Sequence, residues 1–389
     1  MIPETTDVLV VGAGPTGLSL AATLAAGNVD SLLIDRVAEG QNTSRAAAVH
    51  ARTLEVLEGI GVSDRLVAAG LQVPSFTARD RDKVLLNVSF TDLQTRYQYV
   101  LTIPQNETEA ILAARLEELG GTIHRAHEAV DMRQDADGVE VTIRPAAGGL
   151  DRTVRARYVV GADGYRSFVR ERAGIAFAPG TYAQSFVLGD VRMDWPPGAR
   201  ELQLFLSPNG LLLVAPFTNG RYRVIATLDD APEHPTRDDL QAIVDERGPG
   251  GRGEAARIDE VRWSSRFRIH HGVAARFRTG RAFVAGDAAH VHSPAGGQGM
   301  NIGIQDACDL GGRLVKVLRG GADQAVLDGY ETARRPVAER IVAMTDRLTR
   351  IMTVKGSVRQ ELRNLALEAV GHIPAVRRRI AMQLAELSD

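Results

Sequence analysis

The chain opens with short apolar runs set between small-residue stretches. Asp7–Val11 reads as a buried strand, Leu18–Ala26 as a small apolar helix and Ser31–Asp35 as the next strand. Leucines and isoleucines then recur at helical spacing over Thr53–Ile60 and over Glu109–Leu119, the second run stopped by Gly120-Gly121. Val139–Ile143 alternates as a half-exposed strand, and Val154–Val160 returns to a buried one that ends at Gly161-Ala162-Asp163-Gly164. From about Ala176 to Phe267 the period changes. Glu201–Leu206, Leu211–Pro216 and Tyr222–Leu228 alternate and are separated by Pro208-Asn209-Gly210 and Asn219-Gly220, which predicts antiparallel hairpins in a second domain inserted into the first. The earlier pattern resumes at Arg281–Ala285, a strand ending in Gly286-Asp287. Beyond the loop Gly296-Gly297-Gln298-Gly299 a long helix runs to about Leu318. Met300, Ile304, Ala307, Gly311, Leu314 and Leu318 share one face of that helix and are expected in the core. Helical spacing continues from Val326, with Pro336 marking a start or a kink.

The expected fold is α/β: a Rossmann-like domain with a parallel sheet, an inserted α+β domain with an antiparallel sheet, and a helical C-terminal tail. With 389 residues, 44% hydrophobic and 24% charged, the chain has the composition of a globular protein, and wholesale disorder, collagen and coiled coil are excluded. A net charge of −2 gives no basic field for a nucleic-acid backbone. Arg377-Arg378-Arg379 is the densest basic run and reads as a solvated helical face. The single cysteine, Cys308, lies in an apolar helical setting and is expected to be a core thiol rather than a nucleophile. No basic leader precedes the first strand, and no apolar run approaches the roughly 20 residues needed to span a bilayer. A cytoplasmic protein, monomer or homodimer, is the expectation.

Gly12-Ala13-Gly14-Pro15-Thr16-Gly17 carries the first chemistry. It follows a strand and opens a helix, and Asp35 ends the next strand 18 residues beyond Gly17, close to the roughly 20 of a dinucleotide site. Glycines permit the turn and bring backbone N–H groups close to a pyrophosphate, while the helix N-terminus attracts its charge. Asp35 is then the acceptor for ribose hydroxyls. Two further acid-ended strands, at Asp163 and Asp287, go beyond what a simple NAD domain requires.

Taken with Gly161-Ala162-Asp163-Gly164 and with Gly286-Asp287-Ala288-Ala289-His290, Pro294 and Gly296 to Asn301, the chain resembles the flavin-dependent monooxygenases of the para-hydroxybenzoate hydroxylase type. The likeness is nearest to the polyketide hydroxylases, through Ser44-Arg45-Ala46 and Arg52-Thr53-Leu54-Glu55, without the thioredoxin-like domain that follows in longer members. The resemblance implies FAD binding, with Gly12, Gly14, Pro15, Thr16 and Gly17 at the pyrophosphate, and Asp35 at the ribose. Arg36, Arg45 and Gln105 would lie near the pyrophosphate, ribityl chain or flavin. Asp163 would sit in a segment shared with the reduced nicotinamide, and Gly286 and Asp287 at the ribityl chain. Pro294 would either line the face where oxygen reacts or stiffen the loop. Gly297, Gly299, Met300 and Asn301 would place amides at the flavin pyrimidine ring. It further implies NADPH, or NADH, as reductant, O2 as co-substrate, and transfer of oxygen from a flavin C4a-hydroperoxide to an electron-rich aromatic carbon, with no assigned catalytic base.

The implied division is an FAD-binding domain of residues 1–73, 102–175 and 276–345, a substrate domain of 74–101 and 176–275, and C-terminal helices of 346–389. Tyr99, Phe186, Phe205 and Phe217 are candidate substrate contacts, although for an aromatic residue in a strand core packing is the commoner role. His290 and His292 lack the partners of a metal site, so none is expected. The rivals are a reductase or dehydrogenase of the same fold that inserts no oxygen, a halogenase whose tryptophan-rich signature is missing, and a non-catalytic nucleotide-binding module.

Overall fold

A computed structural model describes residues 2–40, 46–250, 255–354 and 356–388, and the backbone but not the side chains of 182–184. The first sheet is built on parallel strands in the order Ala282–Val284, Arg152–Gly161, Thr5–Val11, Ser31–Asp35, Ile123–Arg125, with the hairpin His127–Gln134 and Val139–Pro145 added antiparallel and Arg278–Thr279 closing one edge. Val8, Leu9 and Val10 are all fully buried, which is why this strand shows no alternation. Registers align Val11 with Ile34 on one side and with Gly161 on the other, and Gly161 with Val284. Four strands therefore end together, and the loops at Gly12, Asp35, Ala162 and Ala285 leave from one edge of the sheet.

Two helices pack beside that edge. Pro15–Ala26 starts with proline at its first position, where a missing N–H costs nothing. Gly299–Leu318 crosses it closely: a Cβ at Gly311 would lie 2.8 Å from the Thr23 side chain, and one at Gly303 2.6 Å from Thr16 Oγ1. Of the expected core face of the long helix, Ile304, Ala307, Gly311, Leu314 and Leu318 are buried and Met300 is partly so. Cys308 lies at this helix contact, 4.0 Å from Thr23 Oγ1, and burial pushes its thiol up to about 11.

The second sheet has eight strands, in the order His290–Val291, Arg257–Val273, Gly180–Asp194, Arg221–Leu228, Gly210–Pro216, Glu201–Ser207, Ser75–Asp80, Lys83–Ser89. The hairpins read from the sequence are its centre. One pairing, Glu201–Ser207 with Ser75–Asp80, is parallel, so the sheet is mixed rather than purely antiparallel. Its two faces follow the alternation of the strands. Phe205, Leu212, Val214 and Val224 pack against the Arg237–Arg247 helix, whereas Leu204, Leu206, Leu211, Phe186 and Ile269 face Met352 and Leu367 of the C-terminal helices. Pro336 lies inside the helix Asp328–Met352 and does not start it. Among the described residues no helix is long and apolar enough to cross a membrane.

Candidate cofactor and substrate site

The three glycines of the first loop have separable causes. A Cβ on Gly12 (φ +104°) would come within 2.4 Å of the Ala162 carbonyl oxygen, and one on Gly17 within 1.8 Å of the Gly12 carbonyl oxygen. Both are packing glycines that let helix and strand touch. A Cβ on Gly14 would meet nothing within 4 Å. Packing gives no reason for glycine there; the open side is where another molecule's backbone-close approach would be accommodated. Asp35 is set by the same loop: Oδ2 accepts the Ala13 N–H at 2.6 Å and Oδ1 the Val37 N–H at 2.8 Å. Each oxygen keeps a further lone pair for a hydroxyl. Arg36 beside it is exposed, and Arg45 lies outside the described residues.

Thr16 is the meeting point of the distant segments. Its Oγ1 lies 2.5 Å from where a Gly286 Cβ would be and 2.6 Å from that of Gly303, so glycine at both positions lets the Gly286-Asp287 loop and the long helix close on the first loop. Gly286 adopts φ +59° and Asp287 is exposed beside it. Asp163 faces the other way. Its Oδ2 accepts the Val169 N–H at 3.2 Å at the start of the Phe168–Arg172 helix, while Oδ1 is buried without a hydrogen bond. Burial raises its carboxyl above the usual range, against the Ser167 and backbone hydrogen bonds that lower it.

The glycine-rich loop is braced rather than loose. Asn301 is fully buried: its Oδ1 accepts the His50 N–H at 2.8 Å, and its Nδ2 donates to Ala48 O at 2.9 Å and Gly297 O at 2.8 Å. The Asn301 side chain is thus committed to the protein. The Gly297 N–H is likewise spent, on Pro294 O at 2.9 Å. The first intrahelical bond, Ile302 N–H to Gln298 O at 3.0 Å, leaves the N–H groups of Gly299, Met300 and Asn301 without helical acceptors, so the expected amide donors narrow to these three. Around them lie buried side-chain atoms with no hydrogen bond: His50 Nδ1, His292 Nε2 and Gln298 Oε1. Burial holds both imidazoles down at about 4, hence neutral at pH 7, with Gly296 O and Ser293 O as their backbone acceptors. Orphan polar atoms around a helix N-terminus fit a heteroaromatic ring carrying both donors and acceptors.

Gln105 bridges this region to the second sheet. Its Oε1 accepts the Ala46 N–H at 3.0 Å and its Nε2 donates to Glu109 at 2.8 Å. Ala46 O in turn accepts Arg223 Nη1 at 2.7 Å, and Arg223 makes a bidentate pair with Asp190, 2.7 Å at each oxygen. A fully buried arginine of the second sheet therefore holds the segment that follows Arg45.

The four candidate aromatic residues are not gathered in one place. Phe186 stacks on Phe267, centroids 5.6 Å apart, on the sheet face toward Met352. Phe205 lies on the other side: the alternation of its strand turns it to the opposite face, into the core beside Trp195 and the Arg237–Arg247 helix. Phe217 packs 5.5 Å from the Arg223 guanidinium, and Tyr99 lies edge-on to Tyr97. Thr349 ties the Phe186 side to the glycine loop by donating to Ser293 Oγ at 2.6 Å. Arg223, His50 and Phe267 were not distinguishable in the sequence, because a buried arginine or histidine carries no local pattern. Among the described residues no group of histidine, cysteine and acid side chains could hold a metal ion.

Comparison with known proteins agrees with this geometry. A family described as an FAD binding domain matches residues 5–345. A 6-methylpretetramide 4-monooxygenase of Streptomyces rimosus is 36% identical, over 96% of this chain and 67% of its own length. The solved structure of the OxyS anhydrotetracycline hydroxylase from Streptomyces rimosus superposes with a TM-score of 0.81 at 33% identity, over 99% of this chain and 76% of its own. That of p-nitrophenol 4-monooxygenase PnpA from Pseudomonas putida superposes at 0.89 and 28% identity, over 99% of both chains.

Proposed function

The chain belongs to the FAD-binding-domain family of flavin-dependent monooxygenases, and on that premise we propose that it hydroxylates an extended aromatic compound, a fused-ring polyketide type, using NADPH and O2. FAD, when bound, supplies hydride acceptance and the reductive activation of dioxygen. The chain's part is to hold, orient and seal. Gly14 and the N-terminus of the Pro15–Ala26 helix receive the pyrophosphate, with Thr16 beside it, and Asp35 takes the ribose hydroxyls. Arg36 and Gln105 flank the phosphates and ribityl chain, and Asp287 accepts from a ribityl hydroxyl. Asp163 orders the segment that faces the reductant through its contact with the Phe168–Arg172 helix. The N–H groups of Gly299, Met300 and Asn301, with the positive end of a 20-residue helix behind them, stabilise negative charge on the pyrimidine end of the ring. Pro294 and Gly297 shape the loop over that ring.

The observation that carries this reading is the common exit of four parallel strands at Gly12, Asp35, Ala162 and Ala285, closed by Thr16 against Gly286 and Gly303. The aromatic substrate class is supported by the stacked pair Phe186 and Phe267, set in the apolar face formed with Leu213 and Ile225. That stacked pair suits ring stacking. The test is turnover of a panel of naphthols, anthrones and hydroxybenzoates with NADPH under 18O2. One 18O atom in a fused-ring product is expected; reduction of a double bond without label, or labelling of hydroxybenzoates alone, contradicts the proposal.

A further inference from the structure

We propose that Asp306, clamped by Arg334 and His290, is a positioning residue that sets the Gly286-Asp287 loop for its contact with the ribityl chain. The inference rests on the reading of Asp287 given above and extends it to residues that touch no cofactor.

Asp306 lies on the long helix Gly299–Leu318 and is fully buried. Its Oδ1 accepts Arg334 Nε at 2.6 Å from the next long helix; its Oδ2 accepts His290 Nε2 at 2.6 Å and the Gly286 N–H at 3.2 Å. Burial alone would raise this carboxyl, but the charge of Arg334 and the hydrogen bonds from Arg334 and His290 outweigh it and keep it below its usual range. The anion is therefore present at neutral pH. His290 Nε2 faces the Asp306 carboxylate, and its Nδ1 is buried with no hydrogen bond.

A structural ion pair would need only Arg334. What points further is the third partner. The Gly286 N–H is a main-chain donor at a turn whose conformation is tightly constrained: φ is +59°, and Thr16 blocks any Cβ. The other side of the same turn is gripped too, because Arg170 Nη1 donates to Ala288 O at 2.8 Å. The residues before and after Asp287 are thus each held by a charged side chain, while Asp287 itself remains exposed between them. Upstream, Tyr330 donates to Val284 O at 3.0 Å and fixes the strand from which the turn leaves. A carboxylate that must meet one hydroxyl gains from a turn set before the ligand arrives.

The test is a double-mutant cycle on the full chain, read as the dissociation constant of FAD by quenching of flavin fluorescence, with thermal unfolding of the apoprotein recorded in parallel. Asp306→Asn should weaken FAD by roughly tenfold, and in a chain already carrying Asp287→Ala it should add less than about threefold, since the loop then has nothing to position. Equal losses in both backgrounds would overturn the inference and assign Asp306 to general stability. If Asp287→Ala leaves affinity unchanged, the underlying reading of Asp287 fails first, and the inference with it. His290 supplies an arm that does not leave a buried charge unpaired. His290→Ala should weaken FAD, and His290→Gln, which keeps a donor for Asp306, should restore it. No difference between the two would also overturn the inference.

Discussion

Replacing Arg223 with methionine is the sharpest probe of how the two sheets are joined. The guanidinium is 0% exposed and its partner Asp190 is 19% exposed. The substitution removes two charge-assisted hydrogen bonds to Asp190 and one to the Ala46 carbonyl, each 2.7 Å long. Removing one partner of a buried pair costs about 3–5 kcal/mol, because the remaining charge loses its compensation. Asp190 is partly wet and can recover some hydration, which favours the lower end, while loss of the hydrogen bond to the Ala46 carbonyl adds on the order of 1 kcal/mol. The contact with Phe217, 5.5 Å away, is lost as well. A loss of about 3–4 kcal/mol is expected. Replacing both charges, Arg223→Met with Asp190→Leu, should return stability to within about 1 kcal/mol of the parent, since the Coulombic gain of a buried pair roughly offsets its desolvation. Urea unfolding at pH 7, followed by the fluorescence of the buried Trp195, reads this sheet directly. A single variant that loses under 1 kcal/mol, or a double variant no better than the single, would refute the reasoning.

Two further predictions concern the loop and the tail. Gly17→Ala should destabilise the apoprotein by about 1–3 kcal/mol or more, because its Cβ would overlap the Gly12 carbonyl, whereas Gly14→Ala should leave unfolding unchanged and weaken FAD binding alone; equal effects of the two on apoprotein stability would count against a ligand-facing Gly14. Glu386 hydrogen-bonds Gln305 beside the glycine loop, and burial pushes its carboxyl up to about 8. A raised carboxyl stabilises the docked tail below about pH 4.5, and that contribution is lost as pH rises toward 8, at up to about 1.4 kcal/mol per pH unit. Proteolysis of the C-terminal segment should therefore accelerate between about pH 4.5 and 8 and level off above that, and Glu386→Gln should flatten the profile.

Much of this was legible in the sequence because it is local. Strand, glycine loop, helix and acid follow one another within residues 5–35, and the helix Gly299–Leu318 and the three central hairpin strands match their expected spans closely. The strands Gly180–Asp194 and Arg257–Val273 were hidden, since charged residues on their exposed positions interrupt any apolar period. The helix Arg237–Arg247 was hidden for a similar reason, its capping box at Thr236 and Asp239 lying among loop-like residues. The face presented by Phe205 depends on register, and a single-residue step decides it. Arg223 with Asp190, and Asp306 with Arg334, join residues 33 and 28 apart in sequence, and only the folded chain shows them paired.

The account stands most directly on one titration. Purified apoprotein mixed with FAD should take up one equivalent, with loss of flavin fluorescence and a bound visible spectrum, and the affinity should fall in Gly14→Ala and Asp287→Ala while both variants unfold at the parent's temperature. A folded chain that binds no FAD, or binds it equally well with both positions altered, would contradict it.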